Sequence, residues 1–251
     1  MAGRNYTIDL GGEGEEPPWS TLAELACATR ASEWVLFGGL MVQVHALRAG
    51  VTPSRPTRDV DLVIDVQACT SNVASVSGAI QQLGFVARMP AQKSSPLHRF
   101  ERGREQIDIM VPDHLPAHSR VRVLARPVIA VDAGAQAIGR RDHYAVRRRS
   151  GSFTIDVPDV VAALIAKGAA FRADQRDKAR HMSDCAVLLA SADDLGAIDF
   201  DTLTKNDRRR LRFAFGPLGD PFHAAWSAVR PAEAERGHRR LRLIHVAAGL
   251  G

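Results

Sequence analysis

The chain has 251 residues, 45% of them hydrophobic, and a formal net charge of +5. A chain of this length can bury a large core, either as one large domain or as one domain with a helical appendage. It contains no apolar run of about eighteen residues, and residues 1–18 are polar, acidic and rich in glycine. We therefore expect neither a membrane span nor a signal peptide, and a cytoplasmic protein.

The three cysteines, Cys27, Cys69 and Cys185, are far apart and lie outside any Cys-x-x-Cys spacing. Their odd number and wide spacing predict free, buried thiols rather than disulfides or zinc ligands. The nine histidines are equally scattered along the chain. The sequence therefore predicts no zinc centre.

The N-terminal part of the chain alternates helical and strand patterns after a predicted flexible leader over residues 1–18. Ser20 is expected to cap the first helix. The periodicity predicts helices over 22–29, 40–47 and 72–83, and strands over 34–37, 60–66, 85–89, 97–101 and 106–111. Further short strands are expected over 121–126, 128–131, 144–148 and 153–157.

After Pro158 the pattern becomes helical. Helices are predicted over 158–172, from Asp184 onward, and over 203–215, 221–229 and 232–246, although Gly237 weakens the last of them. These elements predict an α+β fold, in which a mixed β-sheet with flanking helices precedes a C-terminal helical half. The expected organisation is a leader at 1–18, a sheet domain at 19–157 and a helical domain at 158–251.

The most informative motif begins at Gly38-Gly39, which follows an apolar strand pattern and opens a helical one. A tight Gly-Gly turn at the start of a helix presents backbone N–H groups that no side chain covers. Such a turn suits a nucleotide phosphate. Glycine pairs are also common in ordinary turns, so this half of the motif does not decide the function alone.

Asp59 and Asp61 form the second half of the motif. Residues at i and i+2 of a strand project from the same face, and two adjacent carboxylates repel each other. A divalent cation between them is the simplest explanation, and Mg²⁺ prefers a few carboxylates plus phosphate oxygens. The alternative is a solvated acidic face. The apolar Val60, Leu62 and Val63 around the acids favour a core sheet, and the two halves together suggest phosphoryl or nucleotidyl transfer.

This order of a glycine turn and an Asp-x-Asp strand resembles the signature of the nucleotidyltransferase superfamily. The form Arg55-x-Thr57-x-Asp59-x-Asp61 is similar to the branch that includes the AbiEii-type toxins of type IV toxin–antitoxin systems. The resemblance implies the nucleotidyltransferase fold for the sheet domain. It also implies that Asp59 and Asp61 are catalytic metal ligands.

The nucleotidyltransferase fold also implies a third carboxylate on a neighbouring strand. Asp108 fits that place, because apolar residues flank it and a hairpin is predicted just before it at Arg102-Gly103. The resemblance makes Asp108 the third candidate for metal binding, or the general base of the reaction. A purely structural acid is the alternative.

The toxin-like branch further carries a helix that begins at proline and bears an inner lysine, then a basic stretch and an aspartate. Pro158 and Lys167 match the first part, and Asp184 matches the second. The resemblance implies that Lys167 contacts the triphosphate and offsets transition-state charge, while Asp184 orients Lys167 or a substrate group. The open alternatives are a lysine whose stem covers apolar surface, and a helix N-cap at Asp184.

Two departures from the family pattern concern the nucleotide-binding residues. Nineteen residues separate Gly39 from Asp59, more than the family usually shows. The excess lies at 50–56, where the prolines either shape a substrate entrance or form a tolerated insertion. Gly39 stands where many of these toxins have serine, so Thr57 is proposed to replace the missing hydroxyl in part. The nucleotide-binding set implied by the resemblance is Gly38, Gly39, Thr57, Arg58 and Lys167.

Arginines form four basic clusters, at 140–141, 147–149, 208–212 and 236–242. Such patches attract a polyanion such as tRNA with a strong salt dependence. Few aromatic residues lie between the arginines, which favours backbone contact with a duplex or folded RNA over base stacking. A solvated surface in an arginine-rich protein is the alternative.

The motifs and the resemblance together predict a cytoplasmic, Mg²⁺-dependent nucleotidyltransferase. Its expected reaction transfers a nucleoside monophosphate from an NTP to an acceptor hydroxyl, with one or two Mg²⁺ ions. The expected acceptor is the 3′ end of tRNA, the outcome is blocked translation, and the expected protein partner is a cognate antitoxin. The alternatives are an aminoglycoside or lincosamide antibiotic nucleotidyltransferase, and a catalytically lapsed domain that binds nucleotide, RNA or a partner protein.

Overall fold

The computed structural model describes residues 3–52, 56–92, 94–116 and 121–250 and confirms the predicted α+β class. By internal contacts the chain divides into two compact units. Unit 1 comprises Met1–Leu40 and Thr57–Pro158, and unit 2 comprises Met41–Pro56 and Asp159–Gly251. Segment 41–56, expected in the sheet domain, therefore belongs to unit 2. Among the described residues, no helix combines the length and apolar character required to span a membrane.

All strands of the described residues lie in unit 1. Most of them are short, and four are longer than five residues. The strands are β1 (Asn5–Asp9), β2 (Trp34–Phe37), β3 (Asp59–Ile64), β4 (Val86–Ala87), β5 (Arg99–Arg102), β6 (Glu105–Pro112), β7 (Arg122–Val123), β8 (Arg126–Pro127), β9 (Ala130–Val131), β10 (Arg141–Arg148) and β11 (Gly151–Pro158).

The α-helices are divided between the two units. Unit 1 contains α1 (Trp19–Ala28), α3 (Asn72–Gln82) and α4 (Gly134–Gly139), and α2 (Gly38–Arg48) begins in unit 1 and continues into unit 2. The remaining helices belong to unit 2 and are α5 (Val160–Ala173), α6 (Lys178–Ser191), α7 (Lys205–Leu218) and α8 (Pro231–Ala247).

The larger sheet has the strand order β2-β3-β6-β5-β4, with β9 also pairing with β6. Strands β3 and β6 are parallel, whereas β5 and β6 form the antiparallel hairpin predicted at Arg102-Gly103. Val60 and Leu62 of β3 are fully buried, while Asp59 and Asp61 alternate with them and are partly exposed. The alternation therefore places both acids on one face of a strand whose other face lies in the core.

A second sheet contains β1, β10 and β11, with β1 parallel to β10. Residues 5–9, expected to form part of a flexible leader, are therefore a strand. Ile8 is buried, and the ring of Tyr6 packs 5.2 Å from that of Tyr144. The partner strand lies more than a hundred residues away in sequence, and β1 is too short and polar to show its pairing from its own residues.

The tight packing of unit 2 depends on two glycines. A Cβ at Gly168 of α5 would lie 2.1 Å from the carbonyl oxygen of Arg210 in α7. A Cβ at Gly237 of α8 would lie 2.6 Å from the ring of Trp226. Gly237 therefore lies inside α8 because the helix approaches an indole there, and this close contact offsets the low helix propensity of glycine.

Several predicted elements differ from the structure. Helix α1 begins at Trp19, so Ser20 lies inside it and is not its cap, and α6 begins at Lys178 rather than at Asp184. The single strand predicted over 121–126 is instead a hairpin of two short strands, Arg122–Val123 and Arg126–Pro127, because Leu124 and Ala125 both have positive φ, as in a type I′ turn. Neither residue type signals such a turn in the sequence. The helix predicted over 221–229 is a short 3₁₀-helix at Ala224–Ala228.

All three cysteines have free thiols, as predicted. Cys185 is buried, as was also predicted, but Cys27 and Cys69 are exposed.

Candidate active site

Gly38 begins helix α2 in a conformation that requires glycine. Its φ is +65°, and a Cβ at this position would lie 1.7 Å from Oδ2 of Asp61. A side chain here would therefore displace the Asp61 carboxylate as well as strain the backbone. The first N–H groups of an α-helix have no intrahelical partner and carry partial positive charge. The glycine turn thus brings a carboxylate against the N-terminus of a helix.

The acidic residues form a row across neighbouring strands. Asp61 of β3 is in register with Asp108 of β6, and Asp108 is in register with Arg99 of β5. Residues in register on adjacent strands share a face, and like charges placed directly opposite each other are destabilising. Across the three strands the row therefore consists of two neighbouring acids, Asp61 and Asp108, followed by one compensating base, Arg99.

Asp59, Asp61 and Asp108 each offer an oxygen within 4.8 Å of the others. Asp108 is buried and the other two are partly exposed, so the group is open to solvent on one side. Oxygen-only ligands of this kind fit Mg²⁺, which binds through one or two carboxylates and keeps other positions for water or phosphate. The three residues thus have the chemistry required of a divalent metal site.

Arg99 is a component of this site that the sequence analysis missed. Its Nε donates to Oδ1 of Asp108 at 2.9 Å, and its Nη2 donates to Oδ2 at 2.7 Å. These hydrogen bonds, together with the nearby charges of Asp108 and Asp59, raise the pKa of Arg99 above its ordinary value. The predicted hairpin contained the signal, because pairing through Arg102 and Glu105 places residue 99 opposite residue 108.

Thr57 lies beside the second glycine of the turn. A Cβ at Gly39 would be 2.6 Å from Oγ1 of Thr57 and 2.9 Å from its Cβ. The threonine hydroxyl therefore occupies space next to the position that a side chain at residue 39 would take. Arg58 is exposed, and its backbone N–H donates to Oδ1 of Asp59 at 3.2 Å. Of the insertion at 50–56, residues 53–55 lie outside the described residues.

Lys167 and Asp184 form an ion pair within unit 2. Both are buried, and the Nζ of Lys167 donates to Oδ2 of Asp184 at 2.7 Å. Asp184 lies in the middle of α6, whose N-cap is Asp177, so the alternative of a helix N-cap at Asp184 is wrong. Lys167 does not extend to water either, because it lies in the part of α5, residues 160–169, in which every residue is buried. The catalytic roles of this pair stay predictions.

His181 lies one turn before Asp184 on α6 and is also buried. Its Nε2 is 3.1 Å from Oδ2 of Asp174. Burial lowers the pKa of His181, although the hydrogen bond with Asp174 acts in the opposite direction. Lys167 adds to the decrease through charge repulsion. The neutral imidazole is therefore the favoured form in this part of unit 2.

The basic clusters are not uniformly solvated. Arg208 donates to the carbonyl oxygens of Leu203 and Ala248, which links the start of α7 to the end of α8. Arg240 donates to the carbonyl oxygen of Ala190. In unit 1, Arg141 and Arg148 pair with acids. Within the four clusters, the arginines that remain exposed are Arg147, Arg149, Arg209, Arg212, Arg239 and Arg242.

The chain matches the model of a known protein family. Residues 20–236 match the family model described as "Nucleotidyl transferase AbiEii toxin, Type IV TA system". This range includes the glycine turn, the three acids and the Lys167–Asp184 pair. Neither the curated proteins nor the solved structures gave a match.

Proposed function

Since the chain belongs to the AbiEii nucleotidyltransferase family of type IV toxin–antitoxin toxins, we propose that it transfers a nucleoside monophosphate from an NTP to the 3′ end of tRNA. The family makes the protein a nucleotidyltransferase enzyme and implies a nucleotide substrate and a cognate antitoxin. The proposal adds the Mg²⁺ dependence, the acceptor and the residues responsible. It rests mainly on the acidic group Asp59, Asp61 and Asp108, set against the glycine turn.

Asp59, Asp61 and Asp108 would hold the metal. A divalent cation bound there neutralises triphosphate oxygens and stabilises the charge that develops at the transferred phosphorus. Asp61 lies against the backbone of Gly38 and in register with Asp108. Arg99 orients the Asp108 carboxylate before substrate binds, which reduces the reorganisation required when charge develops.

The glycine turn would bind phosphate through N–H groups at the start of α2. Thr57 would add a hydroxyl contact, since its Oγ1 lies beside Gly39, where serine stands in many of these toxins. Arg58 would contribute an exposed cation next to Asp59. We retain Lys167 as the proposed triphosphate contact and Asp184 as the residue that orients it through their hydrogen bond.

Asp108 is better suited to positioning than to deprotonating the acceptor hydroxyl. Both of its oxygens accept a hydrogen bond from Arg99. A carboxylate has about four acceptor sites, so each oxygen can still accept a metal ion or a hydroxyl hydrogen. The fork of Arg99 nevertheless occupies one acceptor position on each oxygen and fixes the orientation of the carboxylate.

An RNA acceptor is favoured over a cationic antibiotic by the exposed charges. Arg209 and Arg242 are exposed on α7 and α8, as expected for contact with a polyanion. A catalytically lapsed domain has no physical reason to keep three acids whose oxygens lie within 4.8 Å of one another. A lapsed domain and an antibiotic-modifying enzyme are therefore the less favoured alternatives.

The test combines purified protein, Mg²⁺, each of the four labelled NTPs and total tRNA. We expect label in the tRNA fraction, dependence on the divalent ion and loss of transfer in Asp61→Asn. Asp9→Asn, which changes an exposed aspartate on β1, is the matched control and should retain activity. Absence of transfer with every NTP, or equal transfer by Asp61→Asn, would contradict the proposal, and label on an added aminoglycoside or lincosamide would support the antibiotic alternative.

A further inference from the structure

Arg99 is placed as a fixed cation inside the proposed metal site. It lies directly opposite Asp108 in the β5–β6 hairpin, and its guanidinium forms two parallel hydrogen bonds with the carboxylate. The Arg99 side chain is 27% exposed and that of Asp108 is 10% exposed. The paired fork geometry gives orientation as well as attraction, which a lysine ammonium does not provide.

The charges of the site are consistent with one resident divalent ion. Three carboxylates carry three negative charges, and Arg99 offsets one of them. One divalent cation balances the remaining two. A second resident cation would give the site an excess of positive charge and would lie near the guanidinium of Arg99, where like charges repel.

The arrangement of Arg99 and Asp61 around Asp108 also favours one resident ion. Arg99 approaches Asp108 from β5, whereas Asp61 approaches it from β3 on the opposite side. The guanidinium occupies one acceptor position on each Asp108 oxygen. Only the remaining acceptor positions of these oxygens are available to a metal ion shared with Asp59 and Asp61.

We propose that Arg99 is a positioning residue that limits the site to one resident divalent cation, held between Asp59, Asp61 and the remaining acceptor positions of Asp108. This inference rests on the proposed function, because it assumes that the three acids bind a metal. Arg99 takes the place that a second ion would otherwise have beside Asp108. Any second ion used in the reaction must then arrive with the triphosphate.

The test counts Mn²⁺ ions bound to the full chain without nucleotide, by electron paramagnetic resonance and by calorimetry. We expect one ion per chain in the wild type and two in Arg99→Gln. Two ions a few Å apart also give a spin-coupled spectrum, which a purely structural effect would not produce. In Arg99→Lys, which keeps the charge, we expect a single ion.

Arg88→Gln is the matched control. Arg88 follows β4, and its N–H donates to the carbonyl oxygen of Arg99, but its side chain pairs with Glu101 at 3.0 Å. This variant removes the same charge next to β5 without touching Asp108, so it should bind one ion. Thermal unfolding of each variant shows whether the fold is retained.

Two results would overturn the inference while leaving the metal site intact. These are two ions in the wild type, or one ion in a folded Arg99→Gln with an affinity equal to that of the wild type. If Arg99→Gln does not fold, the number of Mn²⁺ ions bound by the wild type and by Arg99→Lys still tests the proposal. Two ions bound to either protein would contradict it. If no variant binds Mn²⁺ and tRNA labelling is also absent, the proposed function fails together with the inference.

Discussion

The buried ion pair of Lys167 and Asp184 makes a prediction about stability that also tests its catalytic role. In Lys167→Met the Asp184 carboxylate stays buried, with 2% of its surface exposed, and loses the donor at 2.7 Å. Removing one partner of a buried pair costs about 3–5 kcal/mol, because the remaining buried charge loses its counter-ion. The total free energy of unfolding of a typical protein is about 5–15 kcal/mol, so this loss is a large fraction of it.

The double variant Lys167→Met/Asp184→Leu should recover most of this loss. Well-packed apolar residues of similar volume often replace a buried ion pair at little or no cost. Urea unfolding followed by circular dichroism gives the free energy for the two single variants and the double variant, and a double-mutant cycle isolates the coupling. Lys205→Met, which changes an exposed lysine at the start of α7, is the control and should have little effect.

Activity measured on the same variants separates the two roles of Lys167. If the lysine only stabilises α5 and α6, the double variant recovers both stability and tRNA labelling. If the lysine contacts the triphosphate, the double variant recovers stability but not labelling. A loss below about 1 kcal/mol in Lys167→Met, or a double variant as unstable as the sum of the singles, would refute the buried-pair reasoning.

Three further predictions follow from the geometry and the pKa values. Gly38→Ala should abolish Mn²⁺ binding by displacing Asp61, whereas Gly50→Ala, with a similar φ of +64° but no neighbouring atom within 4 Å, should retain it in the same titration. Gly39→Ser should reduce tRNA labelling because its Cβ meets Thr57 at 2.6 Å, and Gly39→Ser/Thr57→Gly should restore part of it; a fully active single variant would contradict this. Because burial lowers the pKa of His181, the stability it contributes is present above about pH 6.5 and is lost at lower pH, by at most about 1.4 kcal/mol per pH unit. Urea unfolding at several pH values should show a smaller loss in His181→Gln, and an identical loss would contradict the assignment.

The acidic site could be predicted because its signals are local. Asp59 and Asp61 alternate with apolar residues on a single strand, and the glycine turn precedes them in the chain. Asp108 required one further step, since its position depends on which strands are neighbours. Family resemblance supplied that step, and the register of β3 with β6 places Asp108 opposite Asp61.

The missed features depend on partners that are distant in sequence or on unusual backbone geometry. Strand β1 pairs with β10 across more than a hundred residues. The hairpin at Leu124 and Ala125 uses positive φ without glycine or asparagine, so turn chemistry gives no warning of it. The ion pair of Lys167 and Asp184 was expected as an orienting contact, but its complete burial depends on how α5 packs in unit 2.

The arginines show why net charge alone does not locate an RNA-binding surface. Arg208 was counted in a basic cluster, yet its hydrogen bonds to carbonyl oxygens connect α7 with the end of α8. If the proposed RNA acceptor binds here, substituting Arg208 would weaken its binding indirectly, through stability, and would not isolate a phosphate contact. Exposed arginines such as Arg209 and Arg242 are better test positions, because their substitution should not affect folding. If they contact phosphate in the proposed tRNA complex, their loss reduces the salt dependence of tRNA binding. The slope of affinity against salt concentration, measured alongside stability, therefore distinguishes arginines that bind RNA from arginines that hold the fold.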